Sequence, residues 1–278
     1  MARLRSVFHR ADQALRFRAY LRGLLEPSER KNVEAIAAAA SRSMMVEADL
    51  PQALQHFVSH SPWDSARLVA AVLRESRDRR DDPQAVWVVH DTAFAKKGQH
   101  SVGVLRQYAR DVEKKINCQV AVSISQIGPK GFFPLAARLY LPASWLKDNA
   151  DSAATRGIPD DERRFNTKGE IALKLLDALR EAGEVALSVR PEPGYTSDEA
   201  FTAGLRERGI TAIDADDRAV QRCNERMGWL KSVLGLEHFE GRTWHGWHHH
   251  ASLVFAAYDL LAAEGREGDL PPFSSLPG

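Results

Sequence analysis

The chain has 278 residues and a mass of 30.9 kDa, room for one large domain or two modest ones. At 44% hydrophobic and 27% charged it holds enough apolar material for a core, which excludes wholesale disorder. Lys and Arg (38) nearly balance Asp and Glu (37), giving a formal charge of +1; a surface that grips nucleic acid everywhere is excluded, and a local basic face stays open.

The first eighty or so residues read as helices. Apolar residues recur at helical spacing over Ala11 to Leu25, an alanine-rich run covers Val33 to Ala40, and further periodic segments cover Leu50 to Val58 and Trp63 to Leu73. The charge run RESRDRRDD (Arg74 to Asp82), closed by Pro83, reads as a solvated connector because its signs are mixed. A domain boundary is expected there, separating a helical N-terminal domain, 1–83, from a second domain, 84–264.

Beyond it the pattern changes. Ala85 to Val89 is a short buried-strand signal ending in His90-Asp91-Thr92, and Gln119 to Ser125 and Leu135 to Leu141 are two more strands. Gly128, Pro129 and Gly131 lie between those two as a hairpin turn requires. Gly169 to Ala182 reads as an amphipathic helix, Val185 to Val189 as a strand, Ser197 to Arg208 as a helix and Ile210 to Ile213 as a short strand. Arg218 to Leu234 and Trp247 to Ala263 read as the last helices, with 265–278 a loose tail. A meander followed by alternating strands and helices predicts an α/β layer fold with a mixed sheet.

Two cysteines far apart, Cys118 and Cys223, argue against a disulfide scaffold or a Cys-based zinc site and fit a reducing compartment. The N-terminus lacks the apolar run of a signal peptide, and no stretch approaches roughly 20 uncharged apolar residues. A cytoplasmic protein without a membrane partner is expected.

Chemistry is expected at strand ends, where open α/β folds place their ligand crevice. Asp91 follows the run ending at Val89, and Glu192 follows the strand ending near Val189. Two such carboxylates on adjacent strands can share Mg²⁺, and two ions can clamp the attacking and leaving oxygens of a phosphodiester. A turn or helix-cap role is the plainer alternative. The histidines 245, 248, 249 and 250 lack the Glu of H-E-x-x-H and interleave with Trp244 and Trp247, so they read as packing and capping residues rather than zinc ligands. There is no G-x-x-x-x-G-K-[ST] and no G-x-G-x-x-G, and Ser101 is not in a nucleophile elbow. Lys96, Lys97, Arg106, Arg110, Lys114 and Lys115 surround the Asp91 segment as a phosphate-contacting loop would, or as ordinary surface cations.

Several blocks together resemble the IS701-type transposases of the wider IS4-like DDE group: VVHDTAFAKKGQHSVGVLRQY (88–108), NCQVAVS (117–123), RLYLPASW (138–145), RRFNTKGEIAL (163–173) and LGLEHFEGRTWHGWHHH (234–250). YLRGLLEPSERKNVEAIA (20–37) and LQHFVSHSPWD (54–64) resemble the same family's N-terminal region, so the likeness covers nearly the whole chain. It implies an RNase H-like mixed sheet flanked by helices, with an N-terminal helical domain. It further implies three acids holding two Mg²⁺ (or Mn²⁺) ions for DNA strand cleavage and transfer, DNA as partner, and a homodimer.

Residue by residue, the first acid matches Asp91. The second, an Asp in D-x-G-Y, matches Glu192 of Glu192-Pro193-Gly194-Tyr195. The third is a Glu seven positions before a Lys that opens K-x-x-L-G-L; Lys231 matches that Lys, and the count back reaches Asn224. Glu225 is adjacent, but one helical step turns it by about 100°. Asp91 and Glu192 are thus the implied metal ligands, with Asn224 and Lys231 completing the implied catalytic set. About 32 positions separate Glu192 from Asn224, so the strand-rich insertion usual in the family is absent. Three readings follow: a DNA-binding descendant with cleavage weakened or lost, a metal nuclease using Asp91 and Glu192 with or without Glu225, or an RNase H-like scaffold repurposed for a small-molecule substrate with Asp91, Glu192 or His90 as acid/base groups.

Overall fold

The computed structural model describes residues 2–44, 49–213 and 217–266. These form two compact units. The first comprises the chain up to Arg79, Met227–Gly241 and the part from His245 onward; the second comprises Arg80–Arg226 with Arg242–Trp244. The expected tail lies, from residue 267, outside the described residues.

The first unit is helical. It contains α1 (Ala2–Arg5), α2 (Ala11–Leu25), α3 (Val33–Ser41), α4 (Leu50–Ser59) and α5 (Ser65–Arg80) up to Arg79. Asn32 starts α3 by accepting the Ala35 N–H at 3.0 Å, which satisfies one of the donors a helix start leaves open. The core is aromatic: Phe8 lies against Phe17 (4.6 Å between centroids), and Phe57 stacks on Trp63 (5.3 Å). Trp63 in turn stacks on His249 at 3.8 Å, while both nitrogens of that ring face carbonyl oxygens, of Val58 at 2.9 Å and Trp63 at 2.8 Å. His250 bonds Tyr20 (2.9 Å) and the Gly235 carbonyl (2.8 Å). These histidines are packed and hydrogen-bonded to protein.

The charge run proves to be helix rather than connector. α5 continues to Arg80, and Ser76 bonds back to the Val72 carbonyl at 2.9 Å. Arg80 is buried in the second unit, where it pairs with Glu184 at 2.8 Å and reaches Gln126 at 3.3 Å. Buried partners for the last arginine, absent from any local pattern, carry the helix through its charges.

The second unit is built on a mixed sheet, six-stranded among the described residues: β1 (Val86–Ala95), β2 (Leu105–Ala109), β3 (Lys114–Gly128), β4 (Gly131–Tyr140), β5 (Ser188–Pro191) and β6 (Thr211–Ala212). β3 is the long spine. On one side it pairs antiparallel with β1 from Cys118 to Ile127; on the other it takes β2 and then β4. β5 adds parallel to β1, and β6 parallel to β5. The order β4-β3-β1-β5-β6, three antiparallel strands followed by two parallel ones, is the RNase H-like arrangement.

The helices of this unit are α6 (Ala143–Asp148), α7 (Lys168–Glu181), α8 (Pro193–Thr196), α9 (Glu199–Glu207) and α10 (Asp217–Ser232) up to Arg226. α11 (Trp244–Ala263) starts in this unit and belongs to the first from His245. α7 begins with a capping box in which Thr167 and Glu170 each satisfy the other's backbone N–H, and it buries Ile171, Ala172, Leu175, Leu176 and Leu179 against β3 and β4. No helix among the described residues is long and apolar enough to cross a membrane.

β1 is twice the length expected from its apolar run, so Asp91 is not past its end. It sits mid-strand, opposite Val122 of β3. The polar triplet that reads as a turn stays in the strand because its side chains are satisfied: His90 Nε2 lies 3.1 Å from Ser125 Oγ, and Thr92 Oγ1 lies 3.3 Å from Ser123 Oγ. Relative to β5, however, Asp91 does lie beyond an end. The parallel pairing stops at Val89 and Pro191, and there the two strands part.

Candidate active site

Where β1 and β5 part, Glu192 continues the ladder with its side chain. Its backbone N–H donates to the Val89 carbonyl at 2.8 Å, and its Oε2 accepts the Asp91 N–H at 3.1 Å. Burial, 1% exposed, pushes the Glu192 carboxyl above its ordinary range; hydrogen bonds from Asp91 and Asn224 and the charge of Arg110 oppose that shift, and the charge of Asp91 adds to it. A buried carboxylate in place of a backbone acceptor is a costly way to end a strand pair.

Each carboxylate is held by the chain's own donors. Asp91 Oδ1 accepts the Tyr195 hydroxyl at 2.7 Å, and its Oδ2 meets the Lys168 ammonium at 2.5 Å. Glu192 Oε1 accepts from the Asn224 side-chain amide at 3.1 Å, while Arg110 Nε stands 3.4 Å from Oε2. Burial raises the Tyr195 phenol well above its usual value, and the Asp91 charge adds to that, so Tyr195 remains a donor. The Lys168 ammonium also lies 5.4 Å over the Tyr140 ring, whose phenol is raised by burial and by Asp91.

Local sequence explains the placements. The capping box opening α7 puts Lys168 at its first residue. Pro193 starts the single turn α8 that carries Tyr195, and Gly194 keeps that turn open to Arg110, since a Cβ there would sit 2.6 Å from the Arg110 Nη2. Arg110 comes from the turn joining β2 and β3.

Asp91, Glu192 and Asn224 come together. Glu225 is exposed, with its carboxylate accepting from Gln221 at 3.0 Å, as the helical step predicts. Lys231 lies in the first unit, its ammonium 3.9 Å from Glu237. His90 does not share the Asp91 site: neighbouring strand residues face opposite sides of a sheet, and burial lowers the His90 pKa to about 4. Lys168 and Tyr195 enter the sequence reading only as letters of quoted blocks, and Arg110 as one of the cations that read either as a phosphate-contacting loop or as ordinary surface charge. The Thr167-Lys168-Gly169-Glu170 box marks the helix start in sequence, yet the partner of Lys168 lies 77 residues away.

These residues, as placed, do not fit a two-metal centre. Both Asp91 oxygens and both Glu192 oxygens are engaged by protein donors, Asn224 turns its N–H rather than a carboxylate toward Glu192, and no group of three or more His, Cys, Asp or Glu suited to a metal exists among the described residues.

A sequence model of the family described as DDE superfamily endonuclease matches residues 3–222. A probable transposase for insertion sequence element IS701 from Microchaete diplosiphon is 27% identical over 161 residues, which cover 58% of this chain and 37% of that protein. The chain therefore spans little more than a third of that relative's length. No solved structure matches significantly. With the family match over most of its length and the RNase H-like sheet beneath Asp91 and Glu192, the chain belongs to the DDE endonuclease superfamily.

Proposed function

We propose that this chain is a DNA-directed protein of transposase descent in which metal-dependent strand cleavage is weakened or lost. The observation that supports it is Asn224. It stands where the resemblance places the third acid, and its amide donates to Glu192 at 3.1 Å. A neutral donor there removes a charge that a hard dication would use, and the longer arm of Glu192 alters the second acid as well. DNA as partner follows from the family.

The test is Mg²⁺- or Mn²⁺-dependent nicking of supercoiled plasmid, run beside duplex binding by fluorescence anisotropy. Wild type is expected to bind DNA with a steep salt dependence and to leave plasmid intact. Nicking that appears in Asn224→Glu would identify a scaffold disarmed at one residue. Nicking by wild type that disappears in Asp91→Ala overturns the loss of chemistry, and absence of DNA binding overturns the DNA-directed reading.

The raised Glu192 carboxyl favours a second reading, acid/base chemistry on a small molecule at the same site. A ligand that protects the chain from heat in wild type but not in Glu192→Gln would support it.

A further inference from the structure

We infer that Lys168 and Arg110 are resident counter-ions that occupy the place of divalent cations at Asp91 and Glu192, so that this chain's acidic site is closed to Mg²⁺ and Mn²⁺. The inference rests on the family reading only in taking Asp91 and Glu192 as descended from metal ligands.

The charges balance. Two carboxylates, Asp91 and Glu192, face two cationic side chains, Lys168 at 2.5 Å and Arg110 at 3.4 Å, and the third position, Asn224, is neutral. A divalent ion entering this set meets no net negative charge and must displace an ammonium tethered in place, whose effective concentration beside Asp91 is set by the chain rather than by the solution. A glutamate at 224 would leave one unbalanced negative charge. The Asn and the two cations are in this sense one arrangement: the neutral amide is what lets two side-chain cations suffice.

The positions of both cations are built. Lys168 is fixed at the start of α7 by the Thr167–Glu170 box and lies along the Tyr140 ring; Arg110 passes over Gly194, where a Cβ would meet its guanidinium, to reach Glu192. Tyr195 engages Asp91 at the opposite oxygen, so each oxygen of that carboxylate already has a protein donor.

The experiment measures Mn²⁺ binding to the full chain, without DNA, by titration calorimetry and by the loss of free Mn²⁺ signal in electron paramagnetic resonance. The variants are Lys168→Met, Asn224→Glu and the pair combined. Wild type is expected to show no saturable binding up to about 1 mM, a weak limit for built oxygen-ligand sites. Each single variant leaves one net negative charge and should bind at least about tenfold more tightly, with the double variant tighter again. Lys168→Arg, which keeps the charge, should behave as wild type, and Lys168→Gln replaces the methionine variant if that one melts early. Saturable wild-type binding that Asp91→Ala abolishes overturns the inference. So does binding by Asn224→Glu with none in Lys168→Met, which would leave the missing acid as the whole explanation. DNA affinity measured without metal reports on the functional reading separately, so either idea can fail alone.

Discussion

Glu192 accepts the backbone N–H of Asp91 at 3.1 Å, so the second acidic residue of the site is also the last hydrogen-bond acceptor along the β5-facing edge of the strand that carries the first. One side chain therefore both shapes the sheet and charges the site. Burial holds the Glu192 carboxyl above its ordinary range, which means that the charged form is worse off folded than unfolded. Its contribution to stability is present at low pH, where both states are protonated, and is lost as the pH rises through the raised folded value. Glu192→Gln keeps an acceptor for the Asp91 N–H and removes the charge. The variant should melt higher than wild type at pH 7–8, with a shift of about 2–4 °C for each kcal/mol released, and the gap should close toward pH 4. A variant that melts lower at neutral pH would show that Arg110 and Asn224 more than offset the burial.

Two histidines set the acid limit. His90 in the second unit and His249 in the first are both buried, and burial lowers each to about 4 from an unfolded value of about 6.5. The sign is that of a base kept neutral: the unfolded chain takes up protons that the folded chain refuses. Their contribution is complete above about pH 6.5 and is lost as the pH falls toward 4, by up to roughly 3 kcal/mol each. Urea titrations at pH 7.5, 6 and 5 should show a falling midpoint, and His90→Gln, which cannot titrate but can still bond Ser125, should show a flatter fall. An equally steep fall in that variant would assign the acid limit elsewhere.

Local chemistry made much of this fold legible in advance. The extents of α2 and α7 follow to within one residue from apolar periodicity, and the Gly128–Gly131 hairpin from its turn residues. β1 was the instructive exception. His90, Asp91 and Thr92 look like a turn because their polarity has no local explanation; Ser125, Ser123, Tyr195 and Lys168, which satisfy them, come from distant parts of the chain. The same holds for Arg80 at the end of the charge run and for β2, whose short LRQYA segment is half exposed and acquires its identity only by pairing with β3. Of the site, Asp91 and Glu192 stand out as acids after strand signals, Asn224 is reached only through the family resemblance, and Arg110 is one of six cations around the Asp91 segment; the pairings of Lys168 and Arg110 with these acids could not be read, since ion pairs between distant segments leave no period in the sequence.

Gly23 marks a place in the first unit where two helices touch backbone to backbone. A Cβ at that position would lie 2.4 Å from the Ile36 carbonyl oxygen and 2.8 Å from its Cα. Backbone of a packed helix cannot step aside as a side-chain tip can, so Gly23→Ala should destabilise the helical unit by about 2 kcal/mol or more despite the better helix propensity of alanine. Gly98→Ala, where nothing lies within 4 Å, is the matched control and should be silent. Chemical denaturation of both variants checks this, and equal midpoints would mean that α2 and α3 slide apart at little cost.

Gly194 offers the opposite case, a tight contact with something that can move. The atom a Cβ would meet at 2.6 Å is the tip of Arg110, a flexible and partly exposed side chain. Gly194→Ala should therefore fold with a loss of less than about 1 kcal/mol while swinging Arg110 away from Glu192. If Arg110 is a counter-ion, Gly194→Ala and Arg110→Ala should each raise Mn²⁺ affinity, and by similar factors. The two substitutions act through one ion pair, so their effects should not add: the double variant should bind Mn²⁺ no better than Arg110→Ala alone. Additive gains would mean that the glycine acts on the site by a route other than Arg110, such as a displaced Tyr195, and the Tyr195→Phe variant would then be the one whose effect vanishes in the Gly194→Ala background.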